Sequence, residues 1–163
     1  MNLQGLAATI LLGVAVATAA AYGANDNACT GLEAAMLQPK GGLPESVVKR
    51  MRIMATNMAA QDIPTGVSCS ALGKVFGRLA HGSRPAGKRL EDDKPLDVAA
   101  AQAELDQALQ QDPELKAQLE AVRSAVTDEE ERLLYEAALL QSNNLYGARD
   151  LRLQQFIKQA KGE

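Results

Sequence analysis

Met51, Met54 and Met58 recur three and four residues apart, and with Met36 upstream they are the chain's only methionines after the first residue. Thioethers on one helical face are soft ligands of the kind Cu(I) prefers, so a metal-handling helix is one chemistry this spacing offers. With Val47 the same residues form the single apolar face of their helix, and methionine is an ordinary filler of helix seams, so the stripe reads first as core. A second cluster is cationic. Lys74 and Arg78 stand one helical turn apart and are followed by His81, Arg84, Lys88 and Arg89. Such a run offers charge to an anionic surface, whether phospholipid head groups, a phosphorylated glycan or an acidic protein, although its ordinary reading is a solvated face. Nucleic acid is a poor match, because the chain is acidic overall (net charge −3) and the one aromatic residue within the cationic run, Phe76, belongs to the apolar face of its helix.

Catalytic sets are scarce. One His leaves a Ser-His-Asp arrangement only through His81, and one His with two Cys falls short of a Cys/His zinc site. Asp128, Glu129, Glu130 and Glu131 fall in what reads as the first turn of a helix, where free N–H groups favour acids, and they lack the spacing and glycine of a calcium loop. Glu45-Ser46, after Gly42-Leu43-Pro44, resembles the catalytic dipeptide of lysozyme-like lytic transglycosylases. Its neighbours are Lys49 and Arg50, however, and no aromatic groove accompanies it, whereas glycoside cleavage wants a carboxyl in an apolar pocket. A glycine-rich phosphate loop and a metalloprotease helix are both absent. The expectation is a chain that is not an enzyme and carries no cofactor.

The N-terminus speaks to the compartment. Residues 1–25 carry no charged side chain, and Leu3–Ala21 is almost continuously apolar, ending in Ala17-Thr18-Ala19-Ala20-Ala21 with two A-x-A patterns. This reads as a secretory signal peptide over residues 1–21, cut after Ala19 or Ala21, although no Lys or Arg precedes the apolar run. The competing reading is an uncleaved membrane anchor, since roughly 20 apolar residues span a bilayer. Either one exports the rest of the chain, to a bacterial periplasm or beyond the cell. In such a compartment Cys29 and Cys69, the only cysteines, are expected to form one disulfide. The bridge would close a loop of about 40 residues, worth roughly 4 kcal/mol on the chain-entropy account.

The elements that must position these residues are helical. The chain has 163 residues, 47% of them hydrophobic and only 3% aromatic, with 29 Ala and 22 Leu, a composition that favours helices over sheets. In residues 22–81 a short helix is expected over 31–37. A second starts at Pro44 and buries Val47, Met51, Met54 and Met58. A turn follows at Ile63-Pro64-Thr65-Gly66, and a third helix places Cys69, Leu72, Val75, Phe76 and Leu79 on one face. Gly73 and Gly77 on that helix read as a site of close backbone approach. Residues 82–95 form a polar linker without apolar period.

Residues 96–163 read as four helices. Their stripes are Val98, Ala101, Leu105 and Ala108; Leu115, Leu119, Val122 and Val126; Leu133, Leu134, Ala137 and Leu140; and, from about Asp150, Leu151, Leu153, Phe156, Ile157 and Ala160. Asp112-Pro113 and the capping-box pattern at Thr127 open the second and third, and Asn143-Asn144 with Gly147 close the third. Ala101, Leu105, Ala108 and Pro113 match tetratricopeptide-repeat spacing once, but the next unit fails at Arg123 and Tyr135, so this is read as a plain helical hairpin.

Charge changes sign along the chain. Residues 40–94 hold ten Lys and Arg against five Asp and Glu, a net of +5, and residues 95–163 hold seven against thirteen, a net of −6. The sequence therefore predicts an all-α fold, a small helical bundle or stack of helical hairpins with one disulfide, behind an N-terminal signal or anchor segment. It is expected to bind another macromolecule, as an envelope assembly subunit, an adaptor or chaperone, or an immunity-type inhibitor. A protein is the expected partner, and self-association stays open. The alternative is a copper-handling protein using Met51, Met54 and Met58.

Overall fold

The run Leu133-Leu134-Tyr135-Glu136-Ala137-Ala138-Leu139-Leu140 offers apolar side chains on nearly every side of a helix, and such a helix must be buried. The computed structural model describes Cys29, Leu32 and residues 43–81 and 96–163, and its described residues form six helices and no strand. In chain order these are α1 (Glu45–Ala59), α2 (Cys69–His81), α3 (Val98–Gln111), α4 (Pro113–Ala125), α5 (Glu129–Ser142) and α6 (Tyr146–Lys161). Helix α5 is the centre: it packs along α6 and also touches α2, α4 and α1, while α6 carries α3. Every α5 residue from Leu133 to Leu140 is buried.

One apolar cluster runs from Val47 on α1 to Phe156 on α6, so the basic and acidic stretches share a core. Two ion pairs, Arg50–Glu130 and Arg78–Asp150, join those stretches directly. The Cys29–Cys69 disulfide, with Cα atoms 5.3 Å apart, ties Cys29 to the first residue of α2. Cys29 is buried, whereas Cys69 is exposed and lies off the inward face that Leu72, Val75, Phe76 and Leu79 share. No helix among the described residues is long and apolar enough to cross a membrane. The expected signal segment, the linker and, Leu32 excepted, the helix over 31–37 lie outside the described residues.

Side-chain caps fix where the helices begin. Ser68 Oγ accepts from Ala71 N at 3.1 Å, Asp97 from Ala100 N at 3.0 Å, and Asp112 from Leu115 N at 3.0 Å with Pro113 at the first helical position. Each cap of this kind is worth about 1 kcal/mol. Helix α5 begins one residue later than the Thr127 pattern implies: Asp128 is the cap and accepts from Glu131 N at 2.9 Å. Aspartate is the better cap, and Asp128-x-x-Glu131 carries the same box spacing.

Helix α5 ends as the asparagines imply. Asn144 takes a left-handed φ of 59°, and Leu145 N returns to Leu140 O at 3.0 Å, closing the C-terminus with the two-bond motif typical of such ends. Gly147 ends nothing. It lies in the first turn of α6, which starts at Tyr146 rather than near Asp150, and a Cβ there would stand 3.3 Å from Ala101 Cβ, so it lets α6 approach α3. Gly73 and Gly77 reverse their reading, because among the described residues nothing beyond their own helix backbone and chain neighbours lies within 4 Å of an added Cβ at either. Val98 also leaves its stripe: it is 52% exposed, overhanging the core from the first turn of α3.

Candidate functional site

The methionines are inside. Met51, Met54 and Met58 are at most 2% exposed and belong to the apolar cluster that also holds Val47 and Phe76. The cationic run is divided. Lys74 is exposed on α2, while Arg78, one turn on, bends inward and donates Nε and Nη2 to Asp150 at 2.6 and 2.5 Å. Arg84, Lys88, Arg89 and the side chain of His81 lie outside the described residues.

A different set of cations lines one groove. Helices α5 and α6 form an antiparallel hairpin closed by the short turn at Asn143–Leu145, and their outer edges meet the C-terminal end of α4. There they leave an open groove of about 530 Å³ lined by Arg123 of α4, Arg132 of α5, and Arg152 and Lys158 of α6. Leu133 contributes apolar surface, Gln155 and Gln159 contribute amides, and Glu129 and Glu136 are the only acids lining it among the described residues. Four cations against two carboxylates give this groove net positive charge inside a stretch of sequence that is net negative.

Glu136 organises one end of the groove. Its carboxylate is 2% exposed as a residue and accepts from Arg123 Nε at 2.6 Å and Arg152 Nε at 2.9 Å. A buried carboxylate is tolerated only when paired and hydrogen-bonded, and here each oxygen has its own guanidinium. Each arginine gives Glu136 only its Nε–H. The Nη nitrogens of both make no hydrogen bond among the described residues. Arg132 sits 3.5 Å from the exposed Glu129, beyond good hydrogen-bond geometry, and Lys158 has no ion pair among the described residues. The groove therefore holds donors without acceptors.

A second charged cluster lies where α6 meets α2. Asp150 takes both ends of Arg78 and also Arg149, at 3.0 Å; Arg149 in turn bonds Gln141 and lies over the Tyr146 ring, 4.8 Å from its centroid. Burial pushes the Arg149 guanidinium down from its ordinary pKa, with Asp150 opposing that shift. Nearer the centre, the Tyr135 hydroxyl is buried without a hydrogen-bond partner among the described residues. Desolvation, reinforced by the charge of Glu131, pushes its pKa up to about 12. The Glu131 carboxyl is raised as well, by burial and then by Asp128, with Arg50 pulling the other way.

The groove was not legible as a cluster, since its cations come singly from three helices. One signal pointed to it: Glu136 stands in a run that is otherwise apolar, and an acid there demands buried cationic partners. No protein-family model matches this chain, and no curated protein or solved structure proved similar to it.

Proposed function

We propose that this chain is an exported helical protein that acts by binding another macromolecule, in the manner of an envelope assembly subunit, an adaptor or chaperone, or an immunity-type inhibitor. The observation that carries the reading is the groove between α4, α5 and α6, in which Arg123 and Arg152 are oriented by a buried carboxylate yet keep donors without acceptors among the described residues. Its open form suits a segment of a larger molecule better than an enclosed small ligand, which would bury most of its surface. Support for export comes from the uncharged residues 1–25, and the Cys29–Cys69 bridge fits an oxidising compartment.

The test is site-specific photo-crosslinking in intact cells. A photoreactive side chain replacing Gln155, in the groove, is expected to trap a discrete adduct from the extracytoplasmic fraction. The same side chain at Gln102, exposed on α3, serves as the control. No adduct from Gln155, or an equal adduct from Gln102, would overturn the proposal.

A further inference from the structure

We infer that the groove's ligand is an acidic polypeptide segment in extended conformation, carrying carboxylates on alternate residues. This rests on the binding role proposed above and names its chemistry.

Arg123 and Arg152 are held by Glu136. Arg132 lies one turn before Glu136 on α5 and Lys158 lies six residues after Arg152 on the antiparallel α6, so both are displaced from that anchor in the same direction along the groove. From Arg152 to Lys158 helix α6 advances roughly 9 Å, at about 1.5 Å per residue. An extended chain projects residues i and i+2 to the same side, roughly 6.5–7 Å apart, and the reach of two glutamate side chains covers the remaining distance. Arginine Nη groups present paired donors that match a carboxylate, and the amides of Gln155 and Gln159 can meet the peptide backbone between the two anchor points. A single phosphoryl dianion fits less well. The cations are spread along the groove, and beside Arg123 and Arg152 a dianion would sit against the Glu136 carboxylate.

The test uses the full-length oxidised chain and a short fluorescein-labelled peptide alternating Glu and Ser, followed by fluorescence anisotropy. The expected result is saturable binding that weakens at least tenfold for the peptide alternating Gln and Ser. It also weakens at least tenfold for the Arg132→Glu/Lys158→Glu double variant, while Lys74→Glu, on the exposed face of α2, binds as the parent does. An unchanged thermal midpoint in the double variant shows that its fold is intact. Equal binding of the two peptides, equal weakening by Lys74→Glu, or displacement by inorganic phosphate at concentrations below those of unlabelled peptide would each overturn the inference. If the peptide fails while the Gln155 adduct persists, the acidic-segment assignment falls and the wider reading stands; if both fail, both fall.

Discussion

Two charged clusters in this molecule use similar parts to opposite ends. Around Asp150, the Arg78 guanidinium is held at both Nε and Nη2, and Arg149 is enclosed by Asp150, Gln141 and the Tyr146 ring. Around Glu136, two arginines each donate a single Nε–H and keep their Nη groups toward an open groove. The first cluster is closed and fastens α6 to α2. The second is anchored by the more deeply buried acid yet stays unsatisfied at its outer edge. On the proposed reading, what separates a fastening from a binding surface is the remaining hydrogen-bonding capacity, and the number of charges does not distinguish them.

The largest effect is expected from removing the acid of either cluster. Glu136→Gln strands Arg152, whose side chain is 10% exposed, and should cost about 3–4 kcal/mol in urea unfolding. Asp150→Asn strands the buried Arg149 but leaves its Gln141 and Tyr146 contacts, so about 2–3 kcal/mol is expected. A larger loss at Asp150 than at Glu136 would break the comparison. By contrast, Arg132→Glu with Lys158→Glu should change stability by no more than about 0.5 kcal/mol, since Lys158 is exposed, Arg132 is only half-buried, and charges at such positions contribute little. A loss near that of Glu136→Gln would make the whole groove a structural network.

Two smaller changes probe the helices that frame these clusters. Tyr135→Phe removes a buried hydroxyl with no partner among the described residues and should raise stability by about 1 kcal/mol. The tyrosine's pKa is raised in the folded state, to about 12, so its contribution is intact below the ordinary tyrosine range near pH 10. That contribution is lost as the pH climbs toward about 12, and Tyr135→Phe should flatten this alkaline decline. Gly73→Ala and Gly77→Ala should each stabilise α2 by up to about 1 kcal/mol, because an added Cβ meets no neighbouring element among the described residues. Gly147→Ala, set against Ala101, should lower the thermal midpoint instead.

The helices were legible because their signals are local. Val47, Met51, Met54 and Met58 repeat at helical spacing, and Asp112-Pro113 states a helix start outright. Gly147 misled because a glycine that permits helix contact looks, along the chain, like one that ends a helix. Gly73 and Gly77 misled in the other direction. The cationic run from Lys74 drew attention because its charges are neighbours in sequence, yet Arg78 is turned inward to Asp150. Arg123, Arg132, Arg152 and Lys158 meet only through the packing of α4 on α5 and the antiparallel pairing of α5 with α6. That proximity is a tertiary fact with no period to announce it.

The most direct measurement is nitrogen-detected NMR of the arginine side chains during titration with the Glu/Ser peptide. Shifts confined to the Nη groups of Arg123, Arg132 and Arg152, with Arg78 and Arg149 unmoved, are the predicted result. Perturbation centred on Arg78 and Arg149, or none at any of the five, would contradict the account.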